Sequence, residues 1–385
     1  MKLVIAVPAI AALVLRAWKK KSLTPAGLVA ATATAIAHAY HPWNLPFVLL
    51  VVFFLAGTRV THVKENVKAS LTMSAKGTSG GEGPRTHVQG KQTNSAHGFF
   101  ANSLAASILS VLHANQLYAR AAALRTPGAP EPNGSMCYSW GGDLFIVGII
   151  ANYAAVAADT FSSELGILSK SEPRLITSLT LRKVPRGTNG GVTLLGLGAG
   201  LLGSLTIVTS SMLFLPVCNE STVSKRGGGE PWTADNRRLF MGFLILWGTL
   251  GSVLDSFLGA IFQRSVKDVR TGKIVEGDGG SRVLVSGEAE GSEKRADIKA
   301  SLQHAGGASE SAVDESSEAA DKFDPKNKHR KPSFGDEKAS RVVENGWDLL
   351  DNNDVNFLMA VTMSVSGMAV ASWYWGLPWQ SLLAP

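Results

Sequence analysis

Residues 157–166 read Ala-Ala-Asp-Thr-Phe-Ser-Ser-Glu-Leu-Gly, and residues 183–191 read Lys-Val-Pro-Arg-Gly-Thr-Asn-Gly-Gly, ahead of a glycine-studded apolar run to residue 204. The first stretch ends a hydrophobic segment with two carboxylates. The second is a basic, glycine-rich turn that opens the next hydrophobic segment. Carboxylates inside membrane segments are costly, and helix N-termini attract anions. This order of features predicts a phosphate site at a membrane surface.

The composition around this stretch is that of a multi-pass membrane protein. Hydrophobic residues make up 45% and charged residues 17% of the 385 residues, and the hydrophobic ones are concentrated in long runs. The net charge of +7 is compatible with nucleic-acid binding, but no recognition motif accompanies the basic residues. Membrane topology explains the excess better. We therefore expect the lipid bilayer, and no nucleic acid, as a partner.

Eight hydrophobic segments predict an all-α, polytopic integral membrane helix bundle with about eight spans. They are Leu3–Ala17, Thr24–Tyr40, Trp43–Gly57, Gly98–Tyr118, Leu144–Asp159, Gly190–Pro216, Leu239–Phe262 and Val355–Trp379. The last three are long enough to cross a bilayer unaided. Basic residues directly after the first segment favour an uncleaved anchor over a removed signal peptide.

The segments divide the chain into three parts. Residues 1–266 hold the first seven spans, and 346–385 hold the last one. Residues 267–345 are dominated by Gly, Ser, Glu, Lys and Asp, which predicts a mostly disordered cytosolic loop.

The two sides of the membrane differ in sequence. Most Lys and Arg residues fall in the loops of one side, which is therefore predicted to be cytosolic. The sequons at Asn133 and Asn219 and the cysteines Cys137 and Cys218 fall in the opposite loops. A lumenal disulfide and two free thiols are both compatible with this placement. An endomembrane, in particular the endoplasmic reticulum, is the expected location.

Asp159 and Asp255 are the acidic residues best placed for chemistry. Ala151, Ala155 and Asp159 recur every four residues and so share one helical face. Asp255 lies within a second stripe of small residues inside an apolar segment. A carboxylate at such depth needs a cation, a proton or a donor. A Mg²⁺ ion shared by the two residues would satisfy both, and a protonated Asp255 that bridges two helices is the simpler alternative.

Glu164 follows Asp159 by five residues, which is about 140° around an ideal helix. It joins Asp159 at one site only if the helix ends or bends between them. On that condition, Asp159, Glu164 and Asp255 are the predicted catalytic and metal-binding set. Otherwise Glu164 is a solvated charge at a helix end.

The basic turn has the chemistry of a phosphate-binding loop. Its glycines permit converging N–H groups, and the following helix adds its positive end. It is not a Walker A sequence, because that motif needs Lys and then Ser or Thr directly after the last glycine. The residues predicted to bind substrate or phosphate here are Lys183, Arg186, Gly187, Thr188, Asn189, Gly190 and Gly191.

Polar residues of two other segments are further candidates. Asp351, Asn352 and Asn353 open the last segment, where Asn352, Asn353 or Asp354 would cap the helix. The alternative is contact of this oxygen-rich cluster with a hard cation or a ribose. Asn102 lies inside the fourth segment, where a contact between helices is favoured over a ligand contact.

Five stretches resemble the eukaryotic transmembrane protein 19 group, within the membrane family known as domain of unknown function 92. They are Ser22-Leu-Thr-Pro-Ala-Gly27, Ala158-Asp-Thr-Phe-Ser-Ser-Glu-Leu-Gly166, Lys183-Val-Pro185 with Gly187-Thr-Asn-Gly-Gly-Val-Thr193, Gly251-Ser-Val-Leu-Asp-Ser256 and Leu350-Asp-Asn-Asn353. The plant phytyl-phosphate kinase and CTP-using polyprenol kinases are related to this family. The resemblance therefore implies a lipid-phosphate kinase.

The combined hypothesis is a membrane phosphotransferase that acts on an isoprenoid, phytyl-type monophosphate. A nucleoside triphosphate, CTP or ATP, would be the phosphoryl donor, and Mg²⁺ the cofactor. Such a transfer needs mainly positioning and neutralisation of charge. The alternatives are a transporter that uses Asp159 and Asp255, and a noncatalytic membrane protein.

Overall fold

The computed structural model describes residues 3–19, 23–74, 96–128, 130–276, 341–378 and 380. Within these ranges the chain forms ten helices and six short strands. The helices are α1 (Leu3–Lys19), α2 (Pro25–Ala39), α3 (Leu45–Thr61), α4 (Glu65–Leu71), α5 (Ala96–Arg125), α6 (Leu144–Gly166), α7 (Leu194–Phe214), α8 (Glu220–Val223), α9 (Ala234–Phe262) and α10 (Asn352–Trp375). Each of the eight predicted segments overlaps a helix, and the predicted all-α membrane fold is confirmed.

Four or five of the described helices meet the length and hydropathy of a membrane span. Among the described helices, α6, α7, α9 and α10 are long and apolar enough to cross a membrane. Helices α3 and α4, which meet at a bend of 68°, together would make a fifth span. The 30-residue α5 is not among them, because it carries buried polar side chains such as Asn102, His113 and Arg120. These face protein rather than lipid.

Local capping chemistry sets where several helices begin. Thr24 Oγ1 accepts a hydrogen bond from Gly27 N at 3.1 Å, and Pro25 occupies the first helical position. Thr193 caps α7 in the same way, through Gly196 N at 3.0 Å. Helix α7, which corresponds to the sixth predicted segment, therefore starts at Leu194, and the predicted start at residue 190 included part of the preceding turn.

Helix α6 is the centre of the bundle. All its residues from Leu144 to Asp159 are buried, and it packs against α3, α5, α7, α9 and α10. A helix that is apolar on all sides is stable only when surrounded in this way. Glycines allow the close approach: a Cβ added to Gly203 of α7 would lie 2.5 Å from the carbonyl oxygen of Ala157.

A small sheet lies next to the C-terminal ends of α4 and α9. It consists of β1 (Met73–Ser74), β4 (Ser265–Asp268), β5 (Ile274–Glu276) and β6 (Arg341–Asn345), in the order β1-β5-β4-β6. Strand β1 runs parallel to β5, and the other neighbours are antiparallel. A separate pair, β2 (Arg174–Leu175) and β3 (Gly191–Val192), closes the basic turn.

This sheet orders both ends of the segment predicted as mostly disordered, 267–345. Val266 and Val275 pair across β4 and β5 and are both buried. The short apolar stretches at the two ends were not recognised in the sequence, because the composition of the long segment as a whole is polar. Residues 277–340 of the predicted loop lie outside the described residues.

On the opposite side of the bundle, Cys137 and Cys218 form a disulfide across a sequence separation of 81 residues. It joins the loop before α6 to the loop after α7. Beside it, the indole N–H of Trp232 donates to the carbonyl of Tyr138 at 2.9 Å. Of the two alternatives for the cysteines, the disulfide is therefore correct, as expected in an oxidising compartment.

Candidate functional site

The structure brings Asp159 and Asp255 together. Their carboxyl groups are hydrogen-bond partners between α6 and α9, near the C-terminal ends of both helices. The residues one turn earlier, Ala155 and Gly251, are in close contact, and so the two backbones approach closely at this point. Two ionised carboxylates in contact repel each other, so the pair needs a shared proton or a cation.

A third helix completes the polar surroundings of this carboxylate pair. The Asn356 side chain of α10 donates to Asp255 Oδ1 at 3.1 Å and to the carbonyl of Asn352 at 3.2 Å, in the amide orientation that satisfies its contacts. Gln263 Nε2 lies 3.4 Å from Asn352 Oδ1. Asn356 was not among the predicted residues. Its spacing of four from Asn352 is the signal that could have identified it.

Asp351 caps the start of α10, and its predicted contact with substrate stays a prediction. Its Oδ1 accepts hydrogen bonds from Asn353 N at 2.8 Å and Asp354 N at 3.0 Å. In turn, Asp354 Oδ2 accepts a hydrogen bond from Asp351 N. This is a capping box at the start of α10. The capping interpretation holds, but the N-cap is Asp351 rather than Asn352, Asn353 or Asp354.

The glycine-rich turn lies against the end of α9. Gly190 packs on Ala260, and a Cβ on Gly259 would lie 3.7 Å from Asn189 Cβ and 3.0 Å from Gln263 Oε1. Asn189 is thus close to the polar cluster on α9 and α10. Gly187 and Gly190 have φ values of 86° and 79°, which favour glycine.

Several amides of the turn already have partners within the protein. Thr188 N donates to the carbonyl of Pro185, Gly191 N to the carbonyl of Thr188, and Asn189 N to Ser265 Oγ. In this conformation these three amides do not converge on an open anion site. Binding of a phosphate by residues 187–191 stays a prediction.

The predicted cations of the turn lie apart from the carboxylate pair. Lys183 forms a surface ion pair with Glu172 at 2.8 Å, with both side chains well exposed. Arg186 donates to the carbonyls of Ser169 and Lys170. The structure therefore does not bring Lys183 or Arg186 to Asp159.

Glu164 also lies apart from the carboxylate pair. Helix α6 continues unbroken to Gly166, so the bend that would bring Glu164 to Asp159 is missing. Glu164 instead forms a buried ion pair with Lys68 of α4, a residue that the sequence analysis had not singled out. The described residues contain no group of three or more His, Cys, Asp or Glu that could hold a metal ion. The predicted three-carboxylate Mg²⁺ site stays a prediction that this conformation does not assemble.

Asn102 lies deeper in the bundle. It is buried on α5, and its carbonyl accepts a hydrogen bond from Asn152 Nδ2 of α6 at 3.0 Å. Asn152 precedes Asp159 by seven residues, about 10 Å along the helix. The acceptor is the backbone carbonyl of Asn102, so the role of its side chain stays a prediction.

A second polar cluster lies on the disulfide side and was not predicted. Arg120 donates to both oxygens of Asp143, at 2.9 and 2.6 Å, His113 Nε2 lies 3.1 Å from Asp143, and His41 Nε2 lies 2.8 Å from His113 Nδ1. Burial opposes the charge on Asp143, but His113 and Arg120 hold its pKa below the usual value. Burial and the neighbouring His113 lower the pKa of His41 to about 2. His113 and Arg120 share one face of α5 at a spacing of seven residues, which is a sequence signal. His41 and Asp143 come from distant segments, so no spacing could reveal that they join this face.

Comparison with known proteins gives one family and several relatives. The profile of the family described as "Integral membrane protein DUF92" matches residues 8–364. Protein PGR of Arabidopsis thaliana is 33% identical over 267 residues, which cover 69% of this chain and 80% of that protein. The uncharacterized membrane protein MJ0933 of Methanocaldococcus jannaschii is 36% identical over 119 residues, which cover 31% of this chain and 41% of that protein. Protein VTE6, chloroplastic, of Arabidopsis thaliana is 28% identical over 163 residues, which cover 42% of this chain and 39% of that protein. No solved structure matches the chain.

Proposed function

The chain belongs to the DUF92 family of integral membrane proteins, and we propose that it transfers a phosphoryl group from CTP or ATP to an isoprenoid monophosphate. The contact between the carboxyl groups of Asp159 and Asp255 carries this proposal. The resemblance of its motifs to the phytyl-phosphate kinase branch of the family supplies the substrate class. We propose the endoplasmic reticulum as the location, because the disulfide and both sequons lie on the side predicted to be lumenal.

The carboxylate pair suits a reaction that depends on neutralising phosphate charge. Mg²⁺ in proteins is typically held by one or two carboxylates together with waters and substrate phosphates. Asp159 and Asp255, with amide oxygens nearby on α10, match that donor set. When bound, Mg²⁺ would neutralise charge on the phosphate oxygens during transfer. Asn356, through its bond to Asp255, orients one of the two carboxylates for this task.

An apolar groove at the same end of the bundle as the carboxylate pair suits an isoprenoid tail. It lies between α1, α2 and α3, and its lining includes Leu13, Leu28 and Phe54. Gly57, one turn after Phe54, faces Thr160 of α6, since a Cβ there would lie 3.8 Å from Thr160 Cγ2. A lipid in this groove would place its head group at the same end of the bundle as Asp159.

The test is an assay on the purified protein in nanodiscs. Phytyl or geranylgeranyl phosphate, Mg²⁺ and CTP or ATP are supplied, and the lipid diphosphate is measured by mass spectrometry. We expect Asp159→Asn and Asp255→Asn to abolish turnover, because each removes a charge while keeping the shape of the side chain. Asp235→Asn on α9 is the matched control, since Asp235 is 88% exposed and pairs only with Arg238 among the described residues. Absence of turnover by the native protein across several lipid phosphates and both nucleotides would end the proposal.

A carrier is the second candidate, because two acids in contact inside a membrane bundle are also typical of proton relays. Flux into liposomes that requires Asp255 but no nucleotide would favour it. Variants of either acid that change only thermal stability would instead favour a noncatalytic membrane protein.

A further inference from the structure

Lys68 is a fully buried lysine in the short helix α4. Its ammonium donates to the carbonyls of Val60 at 3.3 Å and Thr61 at 2.6 Å, and to Glu164. These three acceptors use all three N–H groups. Removing an ammonium from water is costly, and buried ion pairs are retained more for specificity or switching than for stability.

The way α4 is attached to the bundle is unusual. Lys68 is the only buried residue among the seven described residues of this helix, so α4 is held by a charge instead of an apolar face. The bend before it passes through Lys64, which has a φ of 48° although it is not a glycine. Left-handed backbone is unfavourable for a residue other than glycine and is often found at functional sites. A helix whose one buried side chain is a lysine can shift when the partners of that lysine are exchanged.

The partner carboxylate is incompletely satisfied. Glu164 is buried, its Oε2 pairs with Lys68, and its Oε1 has no hydrogen-bond partner within the described chain. Glu276 of β5 lies near enough to repel Glu164. A carboxylate in these surroundings is a replaceable counter-ion, since it lacks the additional donors of a stable structural ion pair.

The Lys68–Glu164 pair adjoins the basic turn. Thr72, four residues after Lys68, contacts Gly187: a Cβ on that glycine would lie 2.8 Å from Thr72 Cγ2. The preceding residue, Arg186, has a buried Nε–H without an acceptor among the described residues. Glu164 follows Asp159 by five residues, or about 7.5 Å along α6. A phosphate could therefore lie between the carboxylate pair and these cations.

We propose that Lys68 is an anion-binding residue of this site, and that Glu164 is its counter-ion only while no phosphate is bound. A phosphate or diphosphate group replaces Glu164 as the partner of the Lys68 ammonium, and α4 adjusts to follow it. The identity of the anion rests on the proposed function, but the exchange of partners at Lys68 does not depend on turnover.

The experiment uses full-length protein in nanodiscs with sodium pyrophosphate as the probe. Binding is measured by calorimetry, and thermal unfolding by tryptophan fluorescence. The variants are Glu164→Gln, the double variant Lys68→Met with Glu164→Gln, and Lys170→Met as a control at an exposed lysine of the same side. The double variant removes both charges together and so avoids leaving a buried unpaired charge.

We expect Glu164→Gln to unfold at a lower temperature than the native protein and to gain more stability from pyrophosphate, since its ammonium lacks a counter-ion. The double variant should fold but bind pyrophosphate about tenfold more weakly or worse, as for loss of one charged hydrogen bond. Lys170→Met should bind as the native protein does.

Equal affinity in the double variant and the native protein would overturn the assignment and leave Lys68 a structural residue. So would a native protein that does not bind pyrophosphate. If the protein phosphorylates lipid but shows either result, the proposed function stands and only the anion-binding role of Lys68 is refuted. Conversely, Lys68-dependent binding without any lipid turnover leaves this inference intact.

Discussion

The contact between Gly251 of α9 and Ala155 of α6 should determine whether the carboxylate pair can form. A Cβ added to Gly251 would lie 2.5 Å from Ala155 Cβ and 3.0 Å from Ala155 Cα. Carbon atoms pack at about 3.5–4.0 Å. In Gly251→Ala the two helices must therefore separate by about 1 Å. Asp159 and Asp255 lie one turn further along the same helices, so their contact should lengthen by a similar distance.

Gly242→Ala is the matched control, because a Cβ there would meet no heavy atom of the described chain within 4 Å. Both variants replace a glycine within α9, so both gain about 1 kcal/mol of helix propensity. The difference between them isolates the overpacking cost, about 1–3 kcal/mol. At about 2–4 °C per kcal/mol, Gly251→Ala should unfold several degrees below Gly242→Ala.

Tryptophan fluorescence during heating measures the stability difference, and the lipid-phosphate assay measures the effect on the site. If Asp159 and Asp255 act together, a displacement of about 1 Å should lower turnover by about 100-fold in Gly251→Ala. Gly242→Ala should retain native turnover. Identical melting and turnover in the two variants would refute the claim that this helix contact sets the distance between the two acids.

Three further predictions concern other parts of the molecule. Burial, with a contribution from Glu164, raises the pKa of Glu276 from 4.5 to about 7, although a hydrogen bond from Thr72 opposes this shift. Between these two pH values the folded state holds a proton that the unfolded state has lost. The free energy of unfolding should therefore fall as pH rises through this range. Glu276→Gln should remove this slope in melting temperature against pH, and an unchanged slope would contradict the assignment. Replacing Cys137 and Cys218 together by Ser should lower stability by about 2–4 kcal/mol, measured by denaturation with and without reductant. Asn133 is exposed, and we expect it to carry an N-linked glycan in a secretory membrane, whereas Asn219, five residues after α7 and engaged in a helix cap, should not. Glycosidase digestion should therefore shift the native protein and Asn219→Gln but not Asn133→Gln. If the sidedness were reversed, none of the three would shift.

The sequence alone was sufficient for the eight apolar helices and for the face of α6 that carries Asp159. Long apolar runs predicted the bundle, because only helices and closed barrels satisfy their backbone groups in lipid. The four-residue spacing of Ala151, Ala155 and Asp159 predicted that this acid faces the interior, and Asp159 is buried. The position of both cysteines on one side made a disulfide possible. These features depend on neighbours within one turn or one loop.

Only the tertiary structure decided which of those residues meet. Periodicity defines which face of a helix is polar. Which helix packs against that face, and at what distance, depends on where small residues such as Gly251 let two backbones approach. Glu164 pairs with Lys68, which lies 96 residues earlier in the chain, so no local pattern could indicate this contact. Asn356 and the strand pairing of β1 with β5 likewise join segments that are distant in sequence. Contacts of this kind are fixed by the packing of the whole bundle, which leaves no local pattern in the amino-acid order.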